Sequence, residues 1–232
     1  MGSSAVAGGS STLSLSPQMH PGNWPVVASR QGAYAYRFAR VYTLTKAGKW
    51  LDYESGLLSV TLGYAHPEVA DAVTAAAHGD VISEERVANT LRRLCGYPDG
   101  RVRFTATGTH ACEGAIRIAR AVTGRYRVIS AGYHGFSDAV LTTPPAWGVP
   151  PGTRAYTDAV PWGDLRAVEL AFKGLLHAED DGNTPTREPV AAVIVEPVTL
   201  ETPPEGYLAG LYALCVQHGA LLIYDEAITG GR

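Results

Sequence analysis

Four short stretches of this 232-residue sequence carry residue types able to bind and polarise a small molecule: Thr107-Gly108-Thr109, Tyr133-His134, Glu196-Pro197 and Asp225-Glu226. Each follows closely on a run of apolar residues, where side chains project from the end of a buried strand. Thr107, Gly108 and Thr109 supply two hydroxyls, a glycine that lets the backbone come close, and the unpaired amides of a following helix, a combination suited to a phosphate. A strand-to-helix turn capped by Thr109 is the plain alternative. Tyr133 beside such a site can stack on a planar group, with His134 next to it and Gly132 and Gly135 allowing a tight approach. A core tyrosine and a hydrogen-bonded loop histidine would look the same. Glu196 and Asp225 end apolar runs, where a carboxylate costs desolvation free energy unless a cation or several donors meet it. Singly, each acid reads as a helix cap or a surface charge. Jointly they imply a ligand with a phosphate at one end and a positive charge at the other.

The elements that must position these residues alternate. Val102–Ala106, Tyr126–Ala131, Val190–Val195 and Ala220–Tyr224 read as strands. Helices are predicted at Thr109–Val122, with apolar residues Ala111, Ala115, Ile118 and Val122 and a stop at Gly124, and at Asp164–Ala178 and Tyr207–His218. Strands apolar throughout are buried on both faces, which requires helices on both sides. The expected fold class is therefore α/β, a mostly parallel sheet covered by helices on both faces. Upstream, Val41–Leu44 and Lys49–Tyr53 suggest a hairpin around Lys46-Ala47-Gly48, followed by helices from Pro67 to Gly79, with Val69, Val73 and Ala76 on one face, and from Glu84 to Leu94. The expected organisation is a flexible tail over 1–16, an N-terminal segment with the hairpin over 17–60, and the first part of a large α/β domain over 61–232.

Composition narrows the function classes. With 19 Lys+Arg against 22 Asp+Glu the formal net charge is −3, which excludes a strongly basic nucleic-acid binder, and a hydrophobic fraction of 46% excludes wholesale disorder. No window approaches the roughly 18 consecutive apolar residues of a membrane span. The N-terminus lacks a secretory pattern, so a cytoplasmic setting is expected. Cys95, Cys112 and Cys215, at long spacings, read as buried free thiols and not as a metal knuckle or disulfide set. Gly135-Phe136-Ser137-Asp138-Ala139 approximates a nucleophile elbow, with Asp164 and His218 later in order, which keeps a serine hydrolase as an alternative.

A planar, phosphorylated ligand that is cationic at its far end matches pyridoxal 5'-phosphate, whose ring nitrogen takes an Asp partner and whose aldehyde takes a lysine. At these residues the sequence resembles the class III aminotransferases, of fold-type I among pyridoxal-phosphate enzymes, a group that includes the aminomutases. Leu62-Gly63-Tyr64-Ala65-His66-Pro67-Glu68-Val69 is similar to the family's N-terminal portion, and Thr107-Gly108-Thr109-His110-Ala111 to its phosphate loop. Tyr133-His134-Gly135, Glu196-Pro197-Val198 and Asp225-Glu226 with Thr229-Gly230 resemble later signatures in the same order. The resemblance implies that Thr107, Gly108 and Thr109 hold the phosphate, Tyr133 stacks with His134 beside it, Glu196 lies near the ring, and Asp225 pairs with the ring nitrogen. It also implies an oligomer, a small amino or keto substrate, and substrate contacts near Ser55 and Gly56. His110 departs from the family's Glu. None of the three lysines, Lys46, Lys49 and Lys173, stands in the family's lysine context. The expectation is a half-enzyme whose Schiff-base lysine comes from a second polypeptide, with a non-catalytic structural or regulatory subunit of the same fold as the alternative.

Overall fold

The computed structural model describes residues 27–31, 42–45, 48–51, 60–79, 83–141, 148–175 and 188–231. The chain divides into two compact units, Met1–Glu84 and Glu85–Arg232. In the first, β1 (Val27–Gln31), β2 (Tyr42–Thr45) and β3 (Gly48–Leu51) form an antiparallel sheet in that order. The expected hairpin is present, with Thr45 opposite Gly48 so that only residues 46 and 47 lie between the paired positions. β1 escapes the sequence reading. Ser55 and Gly56 lie outside the described residues. Helix α1 (Pro67–Ala77) starts on its proline as expected. The predicted face of Val69 and Val73 is exposed among the described residues, so amphipathic spacing there does not mark a local core.

The second unit opens with α2, which spans Glu84–Leu94 as predicted and buries none of its residues. Cys95, just beyond it, is exposed, which corrects the expectation of a buried thiol; Cys112 and Cys215 are buried. Val102–Ala106 is irregular chain and not the strand its residue types suggested: Arg101 and Arg103 interrupt the apolar positions, and Phe104 is exposed. There follow α3 (Gly108–Thr123), β4 (Arg127–Ala131), α4 (Pro151–Arg154), β5 (Thr157–Val160), α5 (Leu165–Phe172), β6 (Val190–Val195), α6 (Tyr207–His218) and β7 (Leu221–Tyr224). α5 is shorter than predicted, because Gly174 takes a left-handed conformation just after its end.

The four strands pair in parallel in the order β5-β4-β6-β7, which bears out the predicted fold class. Alternation along each strand sends side chains to two cores. Ile129, Ala131, Val193 and Val195 pack with Val168, Tyr207 and Leu211 of α5 and α6. Val128, Ile194 and Ile223 face Cys112 and Ile116 of α3. The buried face of α3 is Cys112, Ile116 and Ala119, while Ile118 and Val122 are 60% and 70% exposed. Both sets have helical spacing, and the face toward the sheet is rotated by about one residue from the predicted one, since packing decides between two equally periodic stripes.

Two arginines fasten the ends of the sheet away from the carboxyl termini of its strands. Arg125 donates to the carbonyls of Val190, His218 and Gly219. Arg127, itself buried, donates to the carbonyls of Glu188 and Ala171 and pairs with buried Asp158 of β5. Removing one partner of a buried pair leaves an uncompensated charge. Asp158→Ala is expected to lower the unfolding free energy by about 3–5 kcal/mol in urea titrations, whereas the paired change Arg127→Met with Asp158→Leu recovers most of that loss.

Candidate functional site

Because the strands are parallel, the residues that follow β4, β6 and β7 gather at one edge of the sheet. Continued alternation places Gly132, Glu196 and Asp225 on the face covered by α3. Thr107 caps α3, its hydroxyl accepting from the amide of His110, so the cap is Thr107 and not Thr109. The amides of Gly108 and Thr109, at the first two helical positions, donate to no acceptor among the described residues, and they sit at the positive end of a sixteen-residue helix. A cavity of about 410 Å³ lined by Thr109, His110, Glu113, Phe136, Ser137 and Asp138 opens beside this turn.

The loop after β4 crosses the same edge on two glycines with positive φ. Gly132, at φ 111°, lies so close to Glu196 that a Cβ would stand 2.7 Å from its carboxylate, and Gly135, at φ 100°, lies against the side chain of Thr109. Between them the Tyr133 side chain is 48% exposed and His134 is fully buried. His134 Nδ1–H donates to Asp225 Oδ2 across 2.8 Å, since a carboxylate only accepts, and its Nε2 lies 3.2 Å from the Ala131 carbonyl. The second Asp225 oxygen accepts from the Ala227 amide at 3.1 Å. Burial pushes the Asp225 carboxyl up, but the bonds from His134 and the Ala227 amide oppose it and hold the group below the usual carboxylate range. A buried acid kept ionised in this way offers a negative charge to a protonated nitrogen.

Glu196 acts on the loop and not only on a ligand. Its carboxylate accepts from the Tyr133 amide at 3.3 Å, and its own carbonyl accepts from the Trp162 indole N–H at 2.8 Å. Burial drives its carboxyl up from the ordinary value; the Tyr133 amide and His134 pull it back, and the charge of Asp225 adds to the rise.

The structure therefore brings Thr107, Gly108, Thr109, Tyr133, His134, Glu196 and Asp225 to one edge of one sheet. It does not assemble the serine alternative. Ser137 donates to Glu113, Asp164 caps α5 through the Ala167 amide, and His218 closes α6 at the opposite end of the sheet, its ring stacked on Phe172 at 4.4 Å. Sequence reasoning did not place Cys112 near these residues: on the buried face of α3, its sulfur lies within 4.8 Å of a His134 ring nitrogen and an Asp225 oxygen, and its signal was the stripe Cys112, Ile116, Ala119.

Residues 38–232 match the family model described as aminotransferase class III. The chain belongs to the class III aminotransferases. Among curated relatives of this family member, the glutamate-1-semialdehyde 2,1-aminomutase of Nitrosospira multiformis is 39% identical over 79% of this chain and 45% of its own length. That of Symbiobacterium thermophilum is 34% identical over 98% of this chain and 53% of its own. A solved transaminase with PLP bound superposes with a TM-score of 0.69 at 27% identity, covering 87% of this chain and 48% of that one. A glutamate-1-semialdehyde aminomutase of Pseudomonas aeruginosa PAO1 gives 0.63 at 28% identity, covering 87% and 46%. The chain spans about half the length of the relatives it matches. No helix among the described residues is long and apolar enough to cross a membrane.

The two acids respond oppositely to pH. For Asp225, with its folded value depressed, the stabilisation is present above about pH 3.8 and is lost as pH falls through the folded value. For Glu196, with its folded value raised, the folded state binds the proton more tightly than the unfolded chain, so ionisation costs stability above the folded value. Glu196→Gln keeps an acceptor for the Tyr133 amide and removes that cost. Its melting temperature at pH 7 is expected to exceed that of the parent by on the order of 2 °C, the gap closing as pH is lowered toward 4.5.

Proposed function

We propose that this chain is the cofactor-cradling portion of a pyridoxal-phosphate-dependent aminotransferase or aminomutase. The single observation that carries the reading is the buried, ionised Asp225 held by His134 at the same sheet edge as the free amides of α3. The donor set fits the group end for end. The Gly108 and Thr109 amides, with the hydroxyls of Thr107 and Thr109, would hold the phosphate. The half-exposed Tyr133 ring would stack on the pyridine, and Asp225 would pair with its nitrogen. His134 keeps Asp225 ionised and oriented, while Glu196 holds the turn that presents Tyr133. Bound there, pyridoxal phosphate supplies an aldehyde that captures amino groups and, with its nitrogen protonated, a ring that withdraws electron density.

Lys173 follows α5, whose end lies on the far side of the sheet from the strand carboxyl termini, and is exposed. We assign the amine that the cofactor needs to a second polypeptide carrying the remaining half of the fold, a reading supported by the place of Lys173, the lysine described in the same unit as the site. The substrate is a small amino or keto compound, and the working particle an oligomer.

The test mixes the chain with pyridoxal phosphate, alone and with a co-encoded second-half polypeptide, followed by borohydride reduction and peptide mass spectrometry. The expected result is binding by this chain and covalent label on a lysine of the partner, with none on Lys46, Lys49 or Lys173. Label on one of those three overturns the division between chains, and failure to bind in any mixture overturns the cofactor reading. Binding that reduction never fixes on a lysine identifies a non-catalytic subunit. Gly135→Ala, which strains a left-handed residue against Thr109, is expected to weaken pyridoxal-phosphate binding about tenfold in a fluorescence titration while the far-ultraviolet circular dichroism is retained.

A further inference from the structure

We propose that Cys112, His134 and Asp225 form a binding site for a thiophilic divalent cation of the zinc class, with one ligand each from α3, the loop after β4 and the end of β7, and that the ion and pyridoxal phosphate compete for the Asp225 carboxylate. The competition rests on the reading in the preceding subsection. The metal site itself does not.

The Cys112 sulfur, a His134 ring nitrogen and an Asp225 oxygen all lie within 4.8 Å of one another. Ligands at the ordinary zinc distances, about 2.3 Å for sulfur and about 2.0–2.2 Å for nitrogen and oxygen, stand about 3.5 Å apart around a tetrahedral ion, so side-chain shifts of roughly 1 Å close the set. All three groups are withdrawn from solvent: Cys112 is 5% exposed, and the side chains of His134 and Asp225 are 0% and 8% exposed. Ile116, Val128, Val140 and Ile194 pack around the cysteine as a dry wall. A thiol, an imidazole and a carboxylate select a soft ion over magnesium or calcium, which take sets of oxygens. Once bound, the thiolate and the carboxylate carry two negative charges, which match a divalent cation.

The orientation of His134 is an independent observation. Its Nδ1 faces Asp225 Oδ2 at 2.8 Å and its Nε2 faces the Ala131 carbonyl at 3.2 Å, and both oxygens only accept. A neutral ring has one N–H to offer, so with that proton on Nδ1 the lone pair of Nε2 points at a carbonyl oxygen. A cation on Nδ1 removes the conflict: the ring proton moves to Nε2 and donates to Ala131, the kind of outer contact that fixes a ligating histidine. Asp225 keeps the Ala227 amide on Oδ1 and presents the oxygen that faces His134. Binding releases the Cys112 proton to solvent, since coordination deprotonates a thiol, and no electron is transferred. Three protein ligands leave the fourth position to water. Asp225 held in this way has no free charge for a protonated ring nitrogen, and two cations at one carboxylate repel each other.

The test titrates the full chain, free of cofactor, with Co²⁺, whose bond to a thiolate gives a charge-transfer band in the near ultraviolet and whose tetrahedral sites absorb strongly in the visible. The expected bands saturate at one ion per chain, are bleached by Zn²⁺ and persist in Cys95→Ser, while the sulfur band is lost in Cys112→Ser. His134→Gln and Asp225→Asn are expected to weaken Zn²⁺ binding by more than about a hundredfold, beyond what the loss of an outer contact costs. A chain without the sulfur band, or one whose band survives Cys112→Ser, overturns the site and leaves a second ring proton to satisfy the two oxygens around His134. Should Cys112→Ser fail to fold, X-ray absorption of the intact zinc-loaded chain decides: one sulfur at about 2.3 Å is expected beside nitrogen and oxygen, and none, or more than one, overturns the site. Pyridoxal-phosphate titration at buffered free Zn²⁺ reads the competition, with an apparent Kd expected to rise in proportion to the free ion; simultaneous occupancy overturns it. A sulfur band in a chain that binds no pyridoxal phosphate in any mixture overturns the cofactor reading and leaves the metal site standing, and cofactor binding without the band does the reverse.

Discussion

A carboxylate at the end of a buried strand takes up a proton unless its neighbours make the charged form the cheaper one, and in this chain Asp225 is kept charged by its neighbours. His134 donates to one oxygen and the Ala227 amide to the other, and the net effect on the carboxyl is downward although the side chain is only 8% exposed. The surrounding architecture follows from that requirement. The His134 side chain reaches Asp225 because Gly132 and Gly135 turn the loop sharply on either side of Tyr133 and His134, and the loop keeps its course because Glu196 accepts from the Tyr133 amide. Glu196 in turn is anchored by Trp162 through its own carbonyl. The carboxylates at the ends of two strands therefore divide the work. One presents charge, and the other holds the turn that keeps the first one charged.

The two edges of the parallel sheet have separate tasks. At the edge where the strands begin, Arg125 and Arg127 gather six contacts between them, five to backbone carbonyls and one to Asp158, and so close loops that would otherwise leave carbonyls unpaired in a low-dielectric setting. At the edge where the strands end, the backbone donors of α3 and the Tyr133 ring are left facing outward. The edge where the strands end instead carries open amides and two glycines at positive φ. α3 starts at this second edge and runs back toward the first, so its positive end faces the same side as the strand ends.

Much of this was legible in the residues. Tyr207–His218 and Val190–Val195 match their predicted bounds, because a Gly after the helix and a Pro after the strand are unambiguous stops. The seven candidate residues share one sheet edge, as read from the sequence, because strand ends in a parallel sheet converge whatever the loops do. What failed has a common cause. Val102–Ala106, the exposed stripe on α3 and the face of α1 all have correct local periodicity, and only packing against other elements decides which periodic stripe is buried or whether a run pairs at all. β5 went unseen since Thr157-Asp158-Ala159-Val160 carries an acid in its middle, which reads as a loop until its buried partner Arg127 is known. The nearness of Cys112 to Asp225 was hidden for the same reason: a thiol counts as apolar by composition, and only packing brings it beside a carboxylate. His110, the departure from the family's Glu, is less disruptive than its charge suggests. Its side chain is exposed, and the cap uses its backbone amide.

The arrangement at the strand ends is one-sided in its chemistry. It offers amides for an anion and a carboxylate for a cation, both preorganised, and Lys173, the lysine described in the same unit, stands beyond α5 on the far side. Binding and electronic tuning can be built into one half of a fold, because they depend on helix ends and strand ends already fixed by the core. A covalent anchor differs, since it needs only one flexible side chain to reach the same point and can come from any element that docks there. β7 is the outermost strand on the side of Asp225, with Leu221 and Tyr224 more than a third exposed, and its outer edge pairs with no strand among the described residues. A segment pairing along that edge would lie directly beside Asp225.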